Sequence, residues 1–294
     1  MGKTVLVTGA GSGFGALIVR ALADAGHTVH AGIRDLAGRN APAAAALATY
    51  ASSREVALHA VELDVRSQDS VDTAVASITE PLDVVVHNAA YLALGPAEAF
   101  TPADIADVMD TNVSGPQRVN RAVLPRFRER RHGLVVWIGS SSTKGGTPPY
   151  LAPYFAAKAA MDAFAVSYAA ELARFDIETT IVVPGVFAQG TSLFANGHAA
   201  SDTARAAAYD AAYPGLLDHV AARLSDLAPP DIDAGAVATA VTDLVALPHG
   251  TRPFRVHIDP VDDGSEAVST VADEARTQFL TRLGLSDLLH PHAW

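Results

Sequence analysis

This sequence predicts an α/β fold: one doubly wound parallel sheet of about seven strands, helices on both of its faces, and a small helical lid inserted late in the chain. Three observations predict it. Short β-branched runs alternate with longer alanine-rich segments from one end to the other. The runs, "VLVT" and "DVVVHN" among them, are apolar almost throughout, as strands are when helices cover both faces of a sheet. Three glycines, Gly9, Gly13 and Gly15, stand between the first run and the first helical segment.

In chain order, a strand over 4–8 runs through these glycines into a helix over 13–25. A strand over 28–33 ends in "VHAGIRD" before a helix over 41–52. The run at 57–63 passes through "ELDV" to a helix over 67–78, and an apolar strand over 83–87 precedes one long helical pattern over 102–128. The strand over 134–139 closes on Ser140, Ser141 and Ser142, and Pro153 marks the start of a helix over 154–173. A strand over 179–183 leads into "VPGVFAQGT", and a helix over 232–247 into a last strand over 255–258. Alternation of this kind calls for right-handed crossovers between parallel strands. Neither a repeat nor a linker interrupts it, so residues 1–260 read as one domain. The polar, helically patterned stretch from about 190 to 230 reads as a lid over the pocket. Residues 261–294 read as an extension packed on the same domain, with an acidic cluster (Asp262, Asp263, Glu266) and then a helix over 271–283.

Composition removes several functions. A chain of 294 residues can bury a large core, and 49% hydrophobic content with both charge signs present is that of a globular protein. With no cysteine there is no disulfide, thiolate metal site or cysteine nucleophile. A formal charge of -11 argues against nucleic-acid or anionic-membrane binding, which need a basic face. The N-terminus enters a strand at once, without a signal-peptide layout, and no segment approaches a membrane-spanning length. A soluble cytoplasmic protein is expected.

The glycines carry the first chemistry. A tight strand–helix turn needs a residue free of Cβ, and the helix N-terminus offers unpaired N–H groups to a pyrophosphate. A plain turn would need one glycine, whereas "TGAGSGFG" has the spacing Thr-Gly-xxx-Gly-x-Gly. Together with Tyr154-x-x-x-Lys158 it resembles the classical short-chain dehydrogenases/reductases, and within them the NADP-type ketoreductases and hydroxysteroid dehydrogenases, from Val5 to about Asp259. The resemblance implies a Rossmann-type fold that binds a nicotinamide dinucleotide, with Gly9, Ser12, Gly13, Phe14 and Gly15 around its pyrophosphate.

The resemblance also orders the other contacts. The position that is acidic in NAD enzymes matches Ile33, and Arg34 follows, whose guanidinium suits a 2′-phosphate. Asp35 is the rival, able to pair with Arg34 or to turn toward a ribose. NADP(H) is therefore favoured, with NAD(H) as the alternative. Asp64 and Val65 fall at the adenine; Asn88 and Ala89 match the family's strand-four motif, where His87 and Ala90 depart from it. Pro184, Gly185, Val186 and Thr191 match the loop against the nicotinamide.

Alone, a tyrosine and a lysine one helical turn apart make an ordinary solvated face. In this context the resemblance makes Tyr154 the acid/base and Lys158 the ammonium that lowers its pKa and binds ribose. The family's serine lies 13 residues before the tyrosine, which selects Ser141, with Ser140 and Ser142 open if the 144–149 connection differs in length. Asn112, in "TNVSG", completes the tetrad by interrupting its helix and holding water in a proton relay. Hydride addition to a ketone leaves charge on oxygen, which these groups would protonate and hold. Imine reduction or other non-ketone chemistry on the same tetrad is a second reading. A non-catalytic dinucleotide sensor is a third, opposed by the intact Tyr–Lys pair. The lid mixes apolar residues (Leu193, Phe194, Tyr209, Tyr213, Leu216, Leu217) with few charges, so a neutral, fairly apolar carbonyl or alcohol substrate is expected. The 154–173 helix is apolar on more than one face, which predicts a homodimer or homotetramer.

Overall fold

A computed structural model describes residues 2–187, 190, 197–227, 229 and 233–291 of the chain. Thr191, Leu193 and Phe194 lie outside the described residues. Among the described residues nine strands form. Two are two-residue strands beside the main sheet, β5 (Ala93–Leu94) and β8 (His198–Ala199), which pair with each other. The other seven are β1 (Thr4–Thr8), β2 (Thr28–Ile33), β3 (Leu58–Glu62), β4 (Val84–His87), β6 (Gly133–Ile138), β7 (Ile177–Pro184) and β9 (Arg255–Ile258). All seven are parallel, in the order β3-β2-β1-β4-β6-β7-β9. The order reverses between β1 and β4, so the crevice at the carboxyl ends of those strands is the place for a ligand.

The apolar runs are explained by two cores. Val5 and Val7 of β1 point with Val84, Val86 and Val136 toward helices α1 (Gly13–Asp24), α2 (Ala41–Arg54) and α9 (Gly235–Ala246). Leu6, Val85, Val135 and Trp137 point the other way, toward α3 (Gln68–Ser77), α5 (Gly115–Arg130) and α6 (Ala152–Ala173). The central strands β1, β4 and β6 are thus buried on both pleats, while the edge strands β3 and β9 are partly exposed, and each fully buried Val or Leu contributes roughly 1.5–3 kcal/mol of hydrophobic stabilisation.

The helical pattern over 102–128 consists of α4 (Pro102–Met109) and α5, joined by a π-helical turn at Asp110–Ser114 that contains Asn112, the residue expected to interrupt it. The apolar pattern runs through the break because both sides of it pack inward, so periodicity cannot show it. The last helix, α10 (Ser265–Arg282), begins well before position 271. Gly264 precedes it at φ 87, and Glu266 falls in its first turn, where a carboxylate favours the helix dipole. Helices α7 (Thr203–Ala212) and α8 (Leu216–Leu227) form the described part of the inserted segment. No helix among the described residues is long and apolar enough to cross a membrane.

Candidate active site

The glycine loop is shaped by what lies behind it. Gly9 has φ +66, and a Cβ there would come within 2.7 Å of Ala89 Cα. A Cβ on Gly15 would come within 2.3 Å of the Gly9 carbonyl oxygen and 2.5 Å of Asn88 Nδ2. Asn88 is the brace: its amide donates to the Thr8 and Gly9 carbonyls, both at 3.0 Å. Thr8 Oγ1 accepts from the Asn88 and Ala89 N–H groups, an anchor that the sequence reading left out of the site. Ser12, the residue before α1, is extended and makes no side-chain cap bond, so its hydroxyl is available to a ligand.

A cleft of about 730 Å³ runs from this loop across the carboxyl ends of the strands. Ser12, Gly13, Phe14, Asp64, Val65 and Ala89 line it, as does Arg34. Arg39 and Asn40 line it too, and sequence reasoning missed both; the signal was a second arginine close behind Arg34 in "RDLAGRN". Asn40 holds Arg34 by donating to its carbonyl at 2.7 Å. Asp35 has left-handed backbone (φ 53), and its carboxylate accepts from Arg39 N at 2.8 Å. It caps this turn and is not a wall of the cleft. Ile33 contributes only an apolar surface there.

Tyr154 and Lys158 sit at the far end of the cleft, 7% and 2% exposed, on the first turns of α6. Lys158 Nζ donates to the Ile138 carbonyl at 2.8 Å and lies 6.0 Å from the Tyr154 ring centre. Burial pushes the Tyr154 phenol up to about 12, opposed by a hydrogen bond with Ser140, and pushes the Lys158 ammonium down to about 8. Burial is the leading cause for both groups, and the Lys158 ammonium is turned toward the Ile138 carbonyl.

Ser140 hydrogen-bonds the phenol, and the expected Ser141 lies next to it in the same cavity wall. Ser140, two residues past the end of β6, caps a 3-10 turn at Ser141–Thr143, its Oγ accepting from Ser142 N and lying 2.8 Å from Ser142 Oγ. Ser141 is buried in that turn. Asn112 is fully buried, its Nδ2 donating to Tyr91 O and Val108 O, both at 2.9 Å, while Oδ1 accepts from Tyr91 N. Its side chain holds the π-turn to the strand-four loop and has no donor left for water.

A second cavity of about 640 Å³ meets the cleft at Phe14, Leu92, Gly139 and Tyr154. Pro184, Gly185 and Val186 form part of its wall, and Phe187 packs edge-to-face on Phe14 with ring centres 5.6 Å apart. Leu151, Phe155, Leu224 and Leu227 make it apolar. Asp262 and Asp263 are the charged residues among its described lining, and none is cationic.

A glycine-rich turn opening a helix at the switch point of a seven-stranded parallel sheet defines a Rossmann-fold dinucleotide-binding protein. Residues 3–202 match the short chain dehydrogenase family model, and the chain belongs to that family, in its classical branch. It is 35% identical over 186 residues to human retinol dehydrogenase 8, covering 62% of this chain and 58% of that one. The Escherichia coli (strain K12) NADP-dependent 3-hydroxy acid dehydrogenase YdfG is 33% identical over 209 residues, 69% of this chain and 79% of that one. The chain thus spans less than two thirds of the length of the human relative. Among solved structures, a single-residue variant of the actinorhodin polyketide ketoreductase with NADPH aligns at a TM-score of 0.72 and 25% identity, over 88% of this chain and 96% of that one.

Proposed function

We propose that this chain is an NADP(H)-dependent oxidoreductase moving hydride between nicotinamide and a neutral, largely apolar ketone or secondary alcohol. One observation carries the reading: the buried Tyr154 hydroxyl, bonded to Ser140 and one turn from buried Lys158, stands where the dinucleotide cleft meets the apolar cavity. The loop fits the cofactor, since the space a Cβ on Gly15 would fill is closed by Gly9 and Asn88, and Ser12 keeps an unspent hydroxyl. When bound, NADP(H) would supply or take up the hydride.

The chain's own residues do the rest. The α1 N-terminus holds the pyrophosphate, and Arg34 with Arg39 holds the 2′-phosphate that an acidic residue at position 33 would repel. The NADP-dependent bacterial relative and the ketoreductase solved with NADPH support that choice. Ser140 donates to the substrate oxygen, and Tyr154, held protonated by burial, gives it the proton. Lys158 stays cationic below about pH 8 and re-supplies the proton, with the main chain of the Asn112 turn in the relay. The absence of a cation among the described lining residues favours a neutral substrate over a carboxylate. An outward Phe164 on α6, 42% exposed, suits assembly with a second copy.

The test is a panel of neutral ketones, keto acids and imines with NADPH and NADH. Neutral ketones with NADPH should turn over fastest, and Tyr154→Phe should lower kcat by roughly 10²–10⁴-fold with NADPH affinity retained. Unchanged turnover in Tyr154→Phe would refute the assignment; faster imine turnover would move the substrate class.

A further inference from the structure

The chain has three lysines, and Lys144 is the one neither fold nor cofactor accounts for. It follows the serine turn directly, its N–H donating to Ser141 O at 3.1 Å. Its Nζ lies 3.6 Å from Asp162 Oδ2. Asp162 is 4% exposed on α6, continuing the four-residue spacing of Tyr154 and Lys158. Its other oxygen accepts from Arg255 Nη1 at 2.5 Å, and Arg255 Nε donates to Asp273 of α10 at 2.9 Å. Charges alternate along Lys144–Asp162–Arg255–Asp273. A second tie runs beside it: Gly146 N donates to the Asp263 carbonyl at 3.1 Å, and a Cβ on Gly145 would come within 2.2 Å of the Asp263 carboxylate. Asp263 and Val261 also wall the substrate-side cavity.

We infer that the segment from Asp259 through α10 is a clamp on the catalytic serine turn, and that Lys144 and Asp162 are positioning residues for Ser140. The inference rests on the proposed role of Tyr154 and Ser140. The same α6 residue that receives the extension's charge chain receives the lysine ending the serine turn, so the distance from serine to tyrosine is fixed from one point. Asp162 is buried with a cation on each carboxylate oxygen, so losing Lys144 shifts the balance of the whole charge chain rather than of one surface pair. A misplaced Ser140 would weaken contact with the oxygen in the transition state, so the loss falls on kcat more than on KM.

The experiment compares Lys144→Met, Lys144→Arg, Asp162→Asn and the Lys144→Met/Asp162→Asn double variant, with Tyr154→Phe alongside. Each is assayed on the best ketone of the panel, titrated with NADPH by fluorescence, and followed by hydrogen exchange over 140–146. Lys144 is the safer site, its side chain being 25% exposed, should Asp162→Asn fail to fold. Lys144→Met should lower kcat by about 10-fold with KM and NADPH affinity little changed and faster exchange over 140–146. Lys144→Arg should recover most of kcat, and the double variant should be no slower than Asp162→Asn alone. Wild-type kcat and exchange in Lys144→Met, with Tyr154→Phe inactive, would overturn the clamp and leave the acid assignment standing. Losses that multiply in the double variant would overturn the coupling. Full turnover in Tyr154→Phe would remove the site reading and this inference with it.

Discussion

His87 offers a prediction whose size can be worked from the structure. It ends β4, is 2% exposed, and its Nε2 lies 2.8 Å from Asn120 Oδ1. That oxygen accepts, so the proton of the neutral ring belongs on Nε2. Nδ1 is buried and has no hydrogen-bond partner among the described residues, so a second proton there would be a buried donor with nothing to meet. Burial accordingly pushes the imidazole down to about 4, against a weaker opposing pull from Asn120. The unfolded chain takes up this proton near pH 6.5, the folded chain only near pH 4, so the unfolded state binds more protons in between. Stability is therefore full above the unfolded value and falls as the pH drops toward the folded one. Between about pH 7 and 5 the loss from this residue alone is about 2 kcal/mol. His30 and His132 are also lowered by burial, so the wild-type slope mixes several groups. The difference between wild type and His87→Asn isolates the one. Asparagine keeps an amide beside Asn120 but cannot titrate, and any cavity beside Trp137 shifts both pH points equally. Urea unfolding of both proteins at the two pH values gives the comparison. His87→Asn should lose about 2 kcal/mol less than wild type on acidification. Equal losses would refute a neutral, unpartnered His87.

Three further outcomes follow from the site. Gly15→Ala should raise the NADPH dissociation constant more than about 10-fold, because the new Cβ meets Gly9 O at 2.3 Å; unchanged fluorescence titration would contradict it. Ser140→Ala should lower kcat by about 10²–10³-fold while Ser141→Ala has a small effect, and the reverse order in steady-state kinetics would restore the 13-residue spacing. Arg34→Ala and Arg39→Ala should each shift the NADPH/NADH ratio of kcat/KM by about 10-fold toward NADH, and an unchanged ratio in both would remove the 2′-phosphate site.

What could be read in the sequence was what repeats or is chemically constrained. Strands buried on both pleats declare themselves by unbroken apolar runs, so the seven-stranded sheet was legible from Val5 and its equivalents. The glycine loop was legible because Gly9 and Gly15 are where a Cβ would strike Ala89, Gly9 O or Asn88. The π-turn at Asn112 was not visible in the helical pattern, since α4, the turn and α5 all keep inward-facing residues; only the family resemblance hinted at it. The serine is where spacing and contact point to neighbouring residues, Ser141 and Ser140. Counting back 13 residues assumes a fixed path between strand and helix, and here that path holds a 3-10 turn after Ser140 and a left-handed Tyr150 at φ 72. Both features belong to the 140–151 segment, which its neighbours hold in place. Gly95 N donates to Tyr150 O at 2.9 Å, and Gly146 N to Asp263 O. The serine turn is thus tied partly to the strand-four loop and partly to a C-terminal segment more than a hundred residues away in the chain. No count along the chain contains those partners, and for that reason the serine assignment and the clamp stand or fall on measurements at Ser140 and Lys144.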